Sequence, residues 1–364
     1  MRTEEHNSNQ EHIRLPAAHG VIDVHNHLWG NSQVENIVEV MDKVGVVSYC
    51  DLTANVHISW VEGGYSIEQG SIEDFFANCT RRHPGKFFCF TTATFAKSID
   101  EPLFTEASGF VDETIEMLDE HVRLGARGLK ILKELGLHYK DPDGELIFID
   151  DERLAPVWEH AGKLGIPVLA HQSNPVAFFE PVTPENEHYD SLKKYPSWSL
   201  AEAKFPRKDE LIRHRDNLVR KHPNTTFILP HVANYAENLD YVGQLLDGNP
   251  NVYIDFSARM DELGRVPEQA REFFIKYHDK ILFGTDMPAS RQMYESYFRF
   301  LETFDEGFIP PDYDGTFGRY RWKISGIGLD EEVLKKIYHR NALRIIPGLK
   351  DDLKGVFSRS KKDD

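Results

Sequence analysis

Eight short apolar runs, spread over 364 residues and nearly all separated by segments of helical periodicity, constrain this chain more than any other feature. They cover residues 21–24, 46–49, 86–94, 126–132, 166–171, 226–231, 252–256 and 281–286. Between them, 32–44, 71–83, 112–124, 150–164 and 208–221 read as helices; Val34, Ile37, Val38 and Met41 in the first sit at helical spacing. Gly45, Gly125 and Gly165 stand where such helices end. Eight strands alternating with helices fit a closed (β/α)8 TIM barrel better than an open sheet. The expected fold class is α/β, with long loop insertions after strands 5 and 8. One domain is expected over 21–348, between a polar N-terminal tail at 1–20 and a charged C-terminal tail at 349–364, frayed from Lys350 on. Residues 51–70 read as a long loop around a Gly63-Gly64 turn, 172–222 as an insertion ending in the helix at 208–221, and 330–343 as a last helix.

A formal charge of −17 argues against nucleic acid or an anionic membrane as partner, since both attract basic surfaces. No stretch approaches the roughly 20 apolar residues of a membrane span, and the polar start lacks the apolar core of a secretory signal. Cys50, Cys79 and Cys89 have no metal-type spacing, and their odd number argues against a disulfide framework. These features lead us to expect reduced, buried thiols in a cytoplasmic protein with a small-molecule substrate.

Each of four apolar runs ends in a residue type that binds metals. Val21-Ile22-Asp23-Val24-His25-Asn26-His27 places two histidines one residue apart, so both side chains share a face of the strand. The fifth run ends in His171, the sixth in His231 and the eighth in Asp286. An isolated H-x-H is a weak signal, and two histidines in a surface loop are its simpler explanation. The same arrangement on four buried strands is hard to assign to solvation, because in such barrels the carboxyl ends of the strands carry the chemistry.

This order of motifs resembles the amidohydrolase superfamily, and within it the amidohydrolase-2 branch of metal-dependent hydrolases and nonoxidative decarboxylases. The residues carrying the match are Asp23-Val24-His25-Asn26-His27, His171 after Pro167-Val168-Leu169, Pro230-His231-Val232 and Gly284-Thr285-Asp286-Met287-Pro288, with Asn341-Ala342-Leu343-Arg344-Ile345-Ile346-Pro347 as the closing helix. It spans about Val21 to Pro347. Imidazole and carboxylate donors suit zinc and similar divalent ions, and such a set brings bound water to a pKa of about 7. We expect one divalent ion, zinc before manganese, iron or nickel, held by His25, His27, His171 and Asp286. The resemblance implies that Asp286 also handles the attacking water's proton. It further implies that His231 orients the substrate carbonyl or serves a second metal, and that the protein forms a homodimer or higher homo-oligomer.

The fourth strand bears on metal count. Leu129 and Ile131 share the face expected against the helices, which turns Lys130 inward, where carboxylation would let it bridge two metals. The branch resembled here usually manages with one metal, so Lys130 or Lys133 is expected to contact a substrate anion. Arg259, just beyond the seventh strand, is placed either to hold a substrate carboxylate through paired hydrogen bonds or to join a neighbouring loop carboxylate. Asn174, Phe178, Phe179 and Trp198 of the insertion, with Arg291, Tyr294 and Trp322, form a lid or simply pack the loops down. His57, His121, His138, His160 and His188 are read as surface or structural. Three functions stay open: a hydrolase of an amide, ester or lactone, a decarboxylase of an aromatic or unsaturated acid, and a barrel that binds a metal or ligand without catalysis.

Overall fold

The computed structural model describes residues 20–29, 33–62, 64–96, 101–105, 109–309 and 321–357. Nearly all of the polar stretch expected at 1–20, the last seven residues and Gly63 lie outside them. The strands are β1 (Val21–Asn26), β2 (Val46–Asp51), β3 (Val56–Val61), β4 (Gly64–Gln69), β5 (Phe87–Cys89), β6 (Leu129–Ile131), β7 (Val168–Ala170), β8 (Phe227–Leu229), β9 (Val252–Asp255) and β10 (Ile281–Leu282). Eight of them form two parallel arcs, β1-β2-β5 and β10-β9-β8-β7-β6. Backbone hydrogen bonds join the arcs on both sides. Beyond β5, Thr91 donates to Gly128 (3.0 Å) and accepts from Lys130 (2.7 Å); at the other seam Val24 donates to Phe283 (3.0 Å) and Asp286 to His25 (2.7 Å). The result is a closed (β/α)8 barrel without a free edge.

Both faces of the eight barrel strands are largely buried, which is why they read as unbroken apolar runs. Leu129, Ile131, Val168, Ala170, Phe227 and Leu229 pack into the large core that includes Trp158 and Leu218 of the surrounding helices. Ile22, Val24, Cys50, Phe88, Phe90, Leu169, Ile228 and Leu282 fill the interior. The helices Val34–Val44, Phe110–Leu124, Ala155–Leu164 and Lys208–Lys221 occupy the segments their periodicity marks.

Two expectations are corrected. Residues 51–70 are not one loop: β3 and β4 pair antiparallel, Val56 opposite Gln69 through Val61 opposite Gly64. The alternations Val56-His57-Ile58-Ser59-Trp60 and Tyr65-Ser66-Ile67-Glu68 carry the period of two that makes a half-buried strand. The chain also does not fray at Lys350. Leu349–Asp352 and Lys354–Phe357 are short helices, and Leu349 and Leu353, four apart on one face, join Ala342 and Ile346 beneath the barrel interior.

All three cysteines are free and buried. Among the described residues no helix is long and apolar enough to cross a membrane.

Candidate active site

Asp23 fixes the geometry of the barrel mouth. Its buried carboxylate accepts from the Thr285 hydroxyl (2.7 Å), the Tyr294 hydroxyl (2.8 Å), the Thr285 and His25 amides (both 3.2 Å) and the Asn26 side chain (3.2 Å). One side chain thus ties the H-x-H end of β1 to the Gly-Thr-Asp segment after β10. The approach is close enough that a Cβ on Gly284 would lie 2.7 Å from His25 Cβ, so only glycine fits there.

Three imidazoles then turn their Nε2 atoms to one place because something holds each Nδ1. His25 Nδ1–H donates to Asp255 (2.8 Å), which also accepts from the Ser257 hydroxyl (2.5 Å). His231 Nδ1–H donates to the Ser257 carbonyl (2.8 Å). His27 Nδ1–H donates to Thr53 Oγ1 (2.8 Å), whose hydroxyl passes on to Asp51 (3.3 Å). Partners of this kind set the tautomer and leave Nε2 as a lone-pair donor. Asp286 stands between the rings, 3.7 Å from His25 Nε2, 3.5 Å from His27 Nε2 and 3.7 Å from His231 Nε2.

Among the described residues, His25 Nε2, His231 Nε2 and Asp286 Oδ1 are buried without a hydrogen-bond partner, and His25, His231 and Asp286 each bring a ligand atom within 4.8 Å of the others. Leaving one such group unsatisfied costs about 1–3 kcal/mol, so three together call for a shared occupant. Two imidazole nitrogens and a carboxylate oxygen fit a divalent cation. Of the expected ligands, His25, His27 and Asp286 converge, and His231 stands among them. The His171 ring packs on His231 (4.5 Å between centroids), but its Nε2 faces the Ser173 carbonyl (3.1 Å).

Burial sets the charge states. It holds His27, His171 and His231 well below the usual imidazole range, reinforced by neighbouring positive charge, so these rings are neutral donors. Burial likewise raises Asp286, against the pull of His25 and Lys130. At Asp255 burial acts upward, but the electrostatic pull and hydrogen bond of His25, with those of His231 and Ser257, outweigh it and keep the carboxylate ionised.

The backbone at this end is strained. Asp286 has φ +52°, Ala258 +49°, and His231, Val232, Ala233 and Asn234 form a left-handed turn with φ between +52° and +58°. Non-glycine residues adopt this region rarely and at a cost. Two buried basic side chains hold the turn in place: Arg215 donates to the Ala233 carbonyl and Lys208 to that of Asn234 (2.6 Å).

The sequence profile of the amidohydrolase family matches residues 22–348. This protein belongs to the amidohydrolase-2 family. No curated protein matches it in sequence. Among solved structures it is similar to a putative amidohydrolase from Staphylococcus aureus (15% identity, TM-score 0.55, covering 90% of this chain and 99% of that one). It is also similar to 2,6-dihydroxybenzoate decarboxylase from Rhizobium (15%, 0.52, 92% and 99%). A third is a dihydroxybenzoic acid decarboxylase from Polaromonas with bound manganese and 2-nitroresorcinol (15%, 0.51, 90% and 96%). At these identities the likeness establishes the shared barrel.

In this amidohydrolase the strand-end cluster opens into a cleft of about 1070 Å³, its mouth included. Lys130, Lys133, Asn174 and Arg259 all line it. Lys130 is almost fully buried, which lowers its pKa to about 8. Arg259 donates to the Ala258 carbonyl, and its charge acts on Asp261, Glu262 and Asp286 without a contact ion pair among the described residues. Lys133 lies over the Tyr65 ring (5.5 Å), and Asn174 Nδ2 is buried without a hydrogen-bond partner among the described residues.

The walls are aromatic: Trp29 stacks on Trp60 (5.0 Å), Trp60 leans on Trp198 (6.2 Å) and Trp198 stacks with Phe178 (6.0 Å). Other residues read as lid-forming lie elsewhere. Phe179 packs beside Leu211, Tyr294 is fully buried on Asp23, Arg291 pairs with Glu295, and Trp322 donates to the Asp261 carbonyl. His188, read as a surface or structural histidine, lines the cleft with Asp261 and Glu262. Sequence reasoning assigned no role to Asp255, Ser257, Thr53 or Asp51. Asp255 and Asp51 were discoverable, since each closes a barrel strand as His171 does.

Proposed function

We propose that this amidohydrolase is a metal-dependent hydrolase of a small, planar, carboxylate-bearing amide, ester or lactone. The supporting observation is the meeting of Asp286 with the Nε2 atoms of three imidazoles, His25, His27 and His231, 3.5–3.7 Å away. His25, His27, His231 and Asp286 would hold one divalent ion, zinc or manganese, with His171 completing the set after turning from Ser173. A divalent ion there supplies the charge that polarises a carbonyl and acidifies water.

The chain's own groups do the rest. Asp286, its proton affinity raised by burial, takes the proton of the attacking water and returns it to the leaving group. Lys130 and Arg259, which make no contact ion pair among the described residues, face the substrate's acid group from the cleft wall. Trp29, Trp60, Trp198 and Phe178 exclude water and stack against a flat substrate.

A second reading keeps the same residues for a decarboxylase of a hydroxylated aromatic acid, with Asp286 donating its proton to carbon. The aromatic walls favour it, and two of the similar structures are dihydroxybenzoate decarboxylases. A panel of lactones, esters, amides and hydroxybenzoates, assayed for product and for carbon dioxide with chelated and metal-restored protein, separates the two. Metal-dependent turnover of any ester, lactone or amide supports the first, and carbon dioxide release from an acid supports the second. Turnover that survives complete chelation defeats both.

A further inference from the structure

A second cluster of donor groups lines the same cleft, away from the strand ends. His188, Asp261 and Glu262 each bring a ligand atom within 4.8 Å of the others. The Glu262 side chain is 3% exposed, and among the described residues neither of its carboxylate oxygens has a well-formed hydrogen-bond partner. His188 Nε2 is also buried and, among the described residues, has only Glu262 Oε1 near it, at 3.5 Å, beyond the range of a well-formed hydrogen bond.

The cluster is assembled from two distant segments held rigidly together. Asp261 and Glu262 sit in the short helix Met260–Leu263 after β9, and His188 comes from the insertion after β7. Arg265 bonds Glu187 (2.7 Å), and Arg321 bonds Asp190 (2.9 Å) and the Pro184 carbonyl (2.7 Å). The His188 amide donates to Asn186 Oδ1 (2.9 Å), and its ring is flanked edge-on by Phe178 (5.3 Å) and Trp322 (5.6 Å). Burial and the neighbouring Glu262 raise Asp261 well above the usual carboxylate range although Arg259 pulls on both, so the pair holds a proton whose place a bound cation would take.

We infer that His188, Asp261 and Glu262 form a second cation site on the cleft wall. Its occupant is a divalent metal ion or the ammonium head of a ligand in the cleft, two sources of one chemistry. This inference stands apart from the reading of the strand-end cluster as the catalytic metal site.

The test is calorimetric. Chelator-stripped protein is titrated with manganese(II) alone, then the manganese-loaded protein with β-alanine and propylamine. A metal source gives two manganese equivalents in the wild type, and an ammonium source gives one equivalent plus saturable amine binding. In either case Glu262→Gln and His188→Ala weaken that second event about tenfold or more and keep the first. Circular dichroism confirms folding, and the isosteric Glu262→Gln serves if His188→Ala loosens the insertion.

Wild-type protein that binds one manganese and neither amine overturns the inference, as do variants that bind both probes like the wild type. The control is His25→Ala. Retention of every manganese equivalent in that variant defeats the strand-end assignment and leaves the second site standing.

Discussion

The two ends of the barrel are built on opposite principles. At the base, Ile22, Val24, Leu169, Ile228 and Leu282 of the interior continue into Ala342, Ile346, Leu349 and Leu353, with apolar side chains throughout. At the mouth, Asp23, His25, Lys130, His231 and Asp255 are as deeply buried, yet each is polar or charged. Both ends exclude water, but only the base gains stability by doing so. The mouth also holds the left-handed backbone at His231–Asn234, Ala258 and Asp286. Conformations and orphaned atoms of this kind collect where a scaffold serves binding and chemistry.

Substitutions at each end sharpen the contrast, and the largest effect is expected at Asp286. Asp286→Asn should lower turnover by about 10²–10⁴, with little change in melting temperature. Unchanged kinetics would break the assignment of the mouth as catalytic. Leu353→Ala at the base should do the reverse, costing about 2–5 kcal/mol in denaturant unfolding while the folded fraction keeps its kcat. A loss of kcat equal to that of Asp286→Asn would erase the division between the ends.

Asp255→Asn, behind His25, should weaken metal affinity by about 10–100-fold, read by competition with a chromophoric chelator. A metal-free defect in folding alone would make Asp255 a structural partner only.

The smallest effect concerns Asp51, whose pKa burial raises to about 6. Its ordinary value is near 4, so between about pH 4 and pH 6 the folded state binds more protons than the unfolded one. Its contribution to stability is therefore greatest near pH 4 and is lost as pH rises through 6. Asp51→Asn should raise the melting temperature at pH 7 and flatten this dependence. An equal shift at pH 4 and pH 7 would place the effect elsewhere.

The sequence revealed the base and the strand ends better than the walls. Leu129 and Ile131 flank Lys130 in an alternation that states which way the lysine faces, and the structure turns it inward. His25, His27, His231 and Asp286 close their apolar runs directly, so barrel geometry alone brings them to one mouth. The hairpin carrying Trp60 and Tyr65 was hidden because its alternation is interrupted at Gly63-Gly64 and Gly70, which read as turns in a loop. His188 gave no local signal. It stands in the cleft where contacts from distant segments meet, among them Arg265 and Arg321, some 80 and 130 residues away, bonded to Glu187 and Asp190. Such a contact has no periodicity to betray it. The tautomer-setting groups are intermediate: Asp255 ends a strand visibly, whereas the Ser257 carbonyl is a backbone atom that no side-chain pattern encodes.

The origin of the base has a consequence for how the chain is made. Its covering residues come from around positions 342–353, whereas β1, which they cover, begins at Val21. A nascent chain emerging from the ribosome can set out its strands early, but the bottom stays open to water until the last of these residues has left the exit tunnel. Contacts spanning more than three hundred positions favour slow, late closure, so the histidines of the first strand are translated long before they stand in a finished barrel.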